Sequence, residues 1–199
     1  MGQIIISVGR EFGSGGRVIA ETLAKRFNIP IYDRHLITEI AEKTGLAPEE
    51  IEKYNENPKH RLFSRSVRGY SNSIEDNIAE MQFDFIEEKA KSGESFVVVG
   101  RCSETKLKKY PSLVSLFILG DMDEKITRVM KVYEHSEDKA KAFIDKKDRK
   151  RKRYHNYHCS GHWGDSRLYD LSINSSRLGI DGTVDMLEKY IRARMGEQG

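Results

Sequence analysis

Short apolar runs alternate along the chain with longer stretches that have a helical period. The runs are rich in β-branched residues and have the length of buried strands. Strands that alternate with helices predict a parallel sheet covered by helices on both faces, and therefore an α/β fold. The five runs cover residues 3–8, 29–32, 96–99, 113–119 and 170–173.

The stretches between the runs carry apolar residues at three- and four-residue spacing, which is the period of one helix face. We interpret these stripes as core packing. Residues 55–73 and 145–165 show neither pattern, and we expect both to be irregular or mobile. The stripes are Ile19, Leu23 and Phe27; Ile74, Ile78, Met81 and Phe85; Ile126, Val129, Met130 and Tyr133; and Val184, Leu187 and Ile191.

Composition narrows the class of protein. A chain of 199 residues with 38% hydrophobic residues suits one domain, residues 1–199, with a small lid. The net charge of +3 is too mild to demand a nucleic-acid partner. Two cysteines exclude a disulfide-rich scaffold and favour the reducing cytoplasm. No window has the apolar length of a secretory signal or a membrane helix, so we expect no membrane partner.

A glycine-rich loop follows the first strand and opens the first helix, in the order IIISV, GREFGSGGR, VIAETLAKRF. A phosphate requires several backbone N–H groups that converge on one point, and glycines permit that geometry. The helix that begins near Arg17 adds its positive end. The pattern predicts a phosphate cradle; the alternative is an ordinary glycine-rich turn. Its glycines are Gly9, Gly13, Gly15 and Gly16.

The loop departs from the nucleotide-binding motif G-x-x-x-x-G-K-[ST]. Gly16 stands at the position of the lysine, Arg17 and Val18 follow it, and no hydroxyl occupies the magnesium-binding position. We expect Arg17 to supply the missing cation, because a guanidinium makes bidentate contacts with phosphate. Ser14 is the one hydroxyl within the loop.

Four segments in this order resemble the cytidylate-kinase-like family, a branch of the P-loop nucleoside monophosphate kinases: GREFGSGGR, IYDRHLI, VVVGR and DRKRKRY…WGD…YDLSINSS. The resemblance extends from Gly9 to Ser176. It implies a five-stranded parallel sheet, a helical region for the acceptor monophosphate over residues 34–92, and a mobile basic lid over residues 145–165. It also implies ATP with Mg²⁺ as phosphoryl donor and a nucleotide as acceptor, and it leaves the oligomeric state open.

Polar residues follow two of the predicted strands, where ligands gather in parallel sheets. Asp33 is expected to orient the acceptor or hold water on magnesium, or else to cap the helix that begins at Arg34. Arg34 is a candidate for the acceptor phosphate. The resemblance implies that Arg101 contacts the same phosphate. Cys102 follows Arg101 where the related kinases carry an aspartate soon after, and we interpret it as a small filler.

A dense basic run covers residues 146–153. On a helix, Lys147 and Arg151 share one face and Arg149 and Arg153 another. A lid that delivers arginines to the transferring phosphoryl group stabilises its charge, so we expect Arg151, followed by Arg149 and Arg153, to be catalytic. The alternatives are a solvated basic helix or an RNA-binding patch. Arg128, on the helix before the run, is expected to bind donor phosphate or to be a solvated surface residue.

The basic run is followed by His155, His158, Cys159 and His162. One short loop rarely wraps a tetrahedral metal site by itself, so we expect polar lid residues here and no protein metal ligand.

Three functions follow from these patterns. The first is phosphoryl transfer from ATP to a nucleoside monophosphate, cytidylate by resemblance. The second keeps the fold but transfers to a small-molecule hydroxyl, with Asp33 as base. The third is a non-catalytic nucleotide- or RNA-binding protein, which the missing lysine and hydroxyl favour and the arginine-rich lid opposes.

Overall fold

A computed structural model describes residues 2–33, 66–67, 70–71 and 74–196. Five parallel strands form the main sheet in these residues, and helices cover it. In chain order the elements are β1 (Ile5–Arg10), α1 (Gly16–Phe27), β2 (Ile31–Tyr32), β3 (Ser66–Val67), β4 (Tyr70–Ser71), α2 (Ile74–Lys91), β5 (Phe96–Val99), α3 (Ser103–Lys106), β6 (Leu113–Leu119), α4 (Met122–Tyr133), α5 (Glu137–His158), a 3₁₀ turn (Ser166–Leu168), β7 (Leu171–Asn174) and α6 (Gly179–Arg194).

The strand order is β2–β5–β1–β6–β7, and every neighbouring pair in this sheet is parallel. This confirms the predicted fold class and all five predicted strands. β1 is central and continues to Arg10, so its carboxyl end leads directly into the glycine loop. A short antiparallel pair, β3 and β4, lies within the segment 55–73 that was predicted to be irregular.

The sheet separates two apolar layers. Ile6 and Val8 face α1 and α6, whereas Ile5 faces α2, because successive side chains of a strand point to opposite sides. The apolar stripe of α1 enters the first layer through Ile19 and Leu23. Most residues of the predicted core stripes are buried, but Met130 and Tyr133 are exposed, so the prediction of core packing is wrong for these two.

Helix α5 corrects one expectation. The basic segment 145–165 was expected to be irregular or mobile, yet residues 137–158 form one helix, so the expectation of irregular structure is wrong for 145–158. Ala140 and Ile144 anchor its first half against α4, and Tyr154 packs near α2 further along. Apolar anchors near both ends are enough to hold a helix whose remaining face is solvated and charged.

Among the described residues, no helix has the length and apolar character needed to cross a membrane. Of the predicted acceptor region, residues 74–91 form α2, and residues 34–65 lie outside the described part of the chain. Arg34 is therefore not placed.

Candidate active site

The glycine loop has the conformation that its composition predicts. Gly13 and Gly15 have φ angles of +84° and +78°, a region that side chains other than glycine adopt at a cost. Helix α1 begins directly afterwards at Gly16; its N-cap residue, Gly15, makes no side-chain cap, and Ser14 Oγ accepts a long hydrogen bond of 3.4 Å from the Gly16 N–H. The positive end of α1 therefore faces the space above the loop.

Ser14 lies inside the loop rather than at its open face. Its side chain is fully buried, and its Oγ donates to the carbonyl of Glu11 at 2.9 Å. Ser175 fixes the turn from outside by donating its hydroxyl to the Ser14 carbonyl at 2.6 Å. The Ser14 hydroxyl thus holds the turn, and the loop approaches a ligand through its backbone.

A cleft of about 470 Å³ opens above the loop. It brings together eight of the predicted residues: Gly13, Gly15, Gly16, Arg17, Asp33, Arg101, Arg128 and Arg151. Cations dominate its lining, with Arg10, Arg17, Arg101, Arg128, Lys147, Lys150 and Arg151 against the acids Glu11 and Asp33. Such an excess of positive charge is typical of a site for phosphate groups.

The structure does not bring Arg149 and Arg153 to this cleft. Both are exposed on another face of α5, whereas Lys147, Lys150 and Arg151 line the cleft. Lys147 and Arg151 share one face of α5, as the helical spacing predicted, and that face meets the loop.

Arg17 joins the start of α1 to the end of β2. Its Nε lies 2.9 Å from Glu21 Oε1 and 3.2 Å from Asp33 Oδ2. The Arg17 side chain is 53% exposed and that of Asp33 only 13%. The guanidinium is therefore accessible to a ligand, and a phosphate would compete with the two carboxylates for it.

Arg128 reaches from α4 to the glycine loop, where its Nη1 donates to the carbonyl of Gly13. Because this contact places the half-buried guanidinium at the glycine loop, the alternative of a solvated surface arginine does not apply.

Arg101 is aimed by an unusual turn. Gly100, Arg101 and Cys102 have consecutive φ angles of +76°, +62° and +53°. The left-handed conformation costs a residue with a side chain about 1–2 kcal/mol. Arg101 is 6% exposed and lines both the main cleft and a smaller cavity of about 30 Å³ behind it. The strained turn thus directs a buried cation into the crevice.

Helix α5 is fastened to the glycine loop. Asp148 Oδ1 accepts from the backbone N–H of Phe12 at 2.6 Å, and Arg151 Nη1 donates to the carbonyl of Arg10 at 3.2 Å. The Arg151 guanidinium also lies 5.3 Å from the centre of the Phe12 ring, within the range of a cation–π contact. In this structure, the basic segment lies against the loop.

Comparison with known proteins places this arrangement in a family. The sequence matches the model of the cytidylate kinase-like family over residues 5–177. The chain belongs to this family. No curated protein matches the sequence.

Solved structures agree with the kinase fold. An uncharacterized protein of Eubacterium ventriosum ATCC 27560 is 40% identical, with a TM-score of 0.76, over 95% of this chain and 98% of that one. Shikimate kinase of Bacteroides thetaiotaomicron is 15% identical, with a TM-score of 0.56, over 95% and 98% of the two chains. Shikimate kinase of Aquifex aeolicus is 12% identical, with a TM-score of 0.52, over 98% and 100%. The two shikimate kinases show the fold alone, which is that of a P-loop kinase.

The site of this kinase contains a buried ion cluster that the sequence reasoning missed. Lys125 of α4 is 4% exposed, and its Nζ lies 3.0 Å from Glu11 Oε2 and 3.6 Å from Asp148 Oδ2. Glu11 Oε2 also accepts from the backbone N–H of Gly120 at 3.3 Å. The cluster ties the glycine loop to α4 and α5. Burial raises the pKa of Asp148 above its ordinary value despite the hydrogen bond from Phe12 and the charge of Lys125.

No local signal marks Lys125, because its partners come from two distant segments and its position in an amphipathic helix resembles that of any surface lysine. Arg10 was also missed. It follows the buried part of β1 and lines both the cleft and the smaller cavity, and its place at a strand end was the available signal.

Proposed function

We propose that this kinase transfers the terminal phosphoryl group of ATP to the phosphate of a nucleoside monophosphate, with cytidylate as the acceptor that family membership favours. The observation that carries the proposal is the cleft, where the start of α1 and seven cations surround one space. Two bound nucleotides bring several negative charges, and these would balance the cations.

The cations divide by position between donor and acceptor. Arg17 and Arg128 lie at the glycine loop and suit the phosphates of ATP. Arg101 follows β5, on the other side of β1 from β6 and the helix α4 that carries Arg128, and suits the acceptor phosphate. Arg151 enters the cleft from α5 and suits the group in transfer. Positioning and charge stabilisation account for most of the catalysis of phosphoryl transfer, and an acceptor that is already a phosphate needs no strong base.

Mg²⁺ normally accompanies ATP in such sites. The described residues fit the phosphates well but offer the ion little. No hydroxyl occupies the magnesium-binding position of the loop, Ser14 is buried, and the Glu11 carboxylate is engaged by the buried Lys125. The Asp33 carboxylate lies in the cleft and pairs with the more exposed Arg17, and we propose that it holds the hydrated ion. When bound, Mg²⁺ would neutralise charge on the phosphates.

A small-molecule hydroxyl is the second candidate acceptor, and the position of Asp33 favours it. The carboxylate is nearly buried, lies in the cleft and pairs with Arg17, which suits a residue that accepts the proton of an attacking hydroxyl. Two of the structures with this fold are named as shikimate kinases.

A coupled assay of ADP release with ATP and Mg²⁺ tests the two candidates. The acceptor panel contains cytidylate, deoxycytidylate, uridylate, adenylate, guanylate and shikimate. We expect cytidylate to stimulate ADP release most. If no monophosphate stimulates it while shikimate does, the first proposal is wrong.

Two variants separate the mechanisms. For a monophosphate acceptor, Arg101→Ala should raise the KM of that acceptor by about tenfold or more, because a charge-assisted contact contributes about 1.5–3 kcal/mol. For a hydroxyl acceptor, Asp33→Asn should lower kcat by about 10²–10⁴-fold. Arg177→Ala is the matched control, because Arg177 is exposed and pairs with Asp121 outside the cleft lining.

A further inference from the structure

A cluster of metal-ligand side chains lies behind Arg101, next to the smaller cavity. Glu104 of α3, His155 of α5 and Cys159, which follows α5, each offer a ligand atom, and these atoms lie within 4.8 Å of one another. Glu104 and His155 are each 4% exposed. The proposed kinase reaction uses none of the three.

The polar contacts inside the cluster are incomplete. His155 Nε2 lies 2.7 Å from Glu104 Oε1. His155 Nδ1 is buried and has no well-formed hydrogen bond among the described residues, and the imidazole also interacts with the Cys159 side chain. Buried polar atoms are nearly always satisfied, and an exception points to an ion or a water that completes the arrangement. Among the described residues, the buried Glu104 carboxylate forms its ion pair with this same histidine.

We propose that Glu104, His155 and Cys159 bind a thiophilic divalent cation of the Zn²⁺ class. Thiolate, imidazole and carboxylate are the three ligand types that Zn²⁺ uses in proteins. A carboxylate and a thiolate also balance a charge of 2+ around a neutral imidazole. Hard cations such as Mg²⁺ and Ca²⁺ prefer sites made of oxygen atoms, so the cysteine selects against them.

The spacing of the three ligand atoms is near that of a zinc site. Ligand atoms around Zn²⁺ are about 3.3–3.8 Å apart, given metal–ligand distances of about 2.0–2.3 Å. The three ligand atoms lie within 4.8 Å of one another, so a shift of no more than about 1.5 Å would bring each pair to that range. Cys102 is 3% exposed and packs against Cys159, so a second thiol adjoins the site.

The ligands come from two distant segments. The argument that one short loop rarely wraps a tetrahedral metal site therefore does not apply to them. His155 and Cys159 are four residues apart at the end of α5, and Glu104 follows the strained turn at Gly100–Cys102. The other two histidines of the segment are placed differently. His158 packs against Phe83 and Tyr154, and burial lowers its pKa to about 4, while His162 is exposed.

Metal content of the whole protein tests the proposal without any assay of phosphoryl transfer. Protein purified in the absence of chelators should contain about one Zn²⁺ per chain by plasma mass spectrometry. Metal-free protein titrated with Co²⁺ should show a thiolate-to-cobalt charge-transfer band, which reports the cysteine ligand directly. Competition with a chromophoric chelator gives the affinity.

Variants assign the ligands. Cys159→Ser and Glu104→Gln should each lower the affinity for Zn²⁺ by at least about 100-fold, because even residues that only orient metal ligands cost 10–100-fold when changed. His162→Gln is the matched control, since it removes an exposed histidine of the same segment, and it should leave the affinity unchanged. Circular dichroism checks that each variant folds. If Cys159→Ser does not fold, Glu104→Gln still tests the site, because glutamine keeps the shape of the replaced side chain.

Three results would overturn the proposal. The first is wild-type protein with no stoichiometric metal and no charge-transfer band on addition of Co²⁺. The second is an unchanged affinity in folded Cys159→Ser or Glu104→Gln protein. The third is a disulfide between Cys102 and Cys159 in the protein purified under reducing conditions, which mass spectrometry would detect as the loss of two hydrogens.

Discussion

Replacement of Lys125 by methionine tests whether the buried ion cluster holds the glycine loop. The Lys125 side chain is 5% exposed, and its ammonium group faces Glu11 and Asp148. Methionine has nearly the same length and apolar stem, so Lys125→Met removes the charge and leaves most of the packing. The variant leaves two carboxylates close together without the cation between them.

The expected loss can be worked from the distances. At an effective dielectric constant of about 20, unit charges 3.0 Å and 3.6 Å apart attract each other by about 5 kcal/mol each. Burial of the ammonium costs several kcal/mol and offsets much of this attraction. Removal of one partner from a buried pair costs about 3–5 kcal/mol. Glu11 is 25% exposed and Asp148 is 18% exposed, so water partly solvates both carboxylates when the ammonium is removed. We therefore expect the unfolding free energy to fall by about 2–3 kcal/mol.

Chemical denaturation at neutral pH measures this loss of unfolding free energy, and thermal unfolding should show a fall of about 4–12 °C in Tm. Lys131→Met is the matched control, because Lys131 is an exposed lysine of the same helix and should change stability by less than about 0.5 kcal/mol. A double-mutant cycle with Glu11→Gln should give a coupling energy above about 1 kcal/mol. The reasoning is refuted if Lys125→Met matches Lys131→Met and the coupling is zero.

Three further predictions concern the cleft and α5. Arg17→Ala should weaken ATP binding or turnover by about tenfold or more, because a charge-assisted phosphate contact contributes about 1.5–3 kcal/mol. Calorimetric titration and kinetics check this prediction, and values equal to those of the wild type would contradict it. Arg151→Ala should lower kcat far more than it lowers the affinity for ATP. Lys152→Ala, on the exposed side of α5, is the control. Equal losses of kcat and of ATP affinity in Arg151→Ala would make Arg151 a simple binding residue. Burial raises the pKa of Asp148, so the folded state keeps that proton to a higher pH than the unfolded state does. As the pH rises above about 3.9, the unfolding free energy of the wild type should therefore fall relative to that of Asp148→Asn. Denaturation across that range checks the last prediction, and a gap independent of pH would contradict it.

The fold was predictable because its signals are local. Short apolar runs marked the five strands and helical stripes marked the helices α1, α2, α4 and α6, since a strand buried on both faces and a helix buried on one face each leave such a pattern in the sequence. Helix α5 was not predicted from an apolar stripe, because few apolar residues hold it. Its anchors, among them Ala140, Ile144 and Tyr154, are too sparse to form a stripe among the charges.

The candidate site was predictable where one segment carries the signal and not where several segments meet. The glycines after β1 and Arg101 after β5 lie at strand ends, where the topology of a parallel sheet places ligands. Lys125 became visible only when α4, α5 and the loop were brought together. Glu104 likewise joins His155 across 51 residues, a pairing that the spacing of histidines and cysteines within one loop does not reveal.

The choice among the basic residues of α5 follows from how the helix is held. Asp148, Arg151 and His155 are spaced three and four residues apart and therefore form one stripe on the helix. Asp148 bonds to the glycine loop and His155 contacts Glu104, so both ends of the stripe are fixed, and Arg151 between them must face the cleft. Any rotation of α5 that brought Arg149 to the cleft would break both end contacts. The orientation of the catalytic candidate thus depends on two groups that need take no part in phosphoryl transfer, and the buried Glu104–His155 contact is one of them.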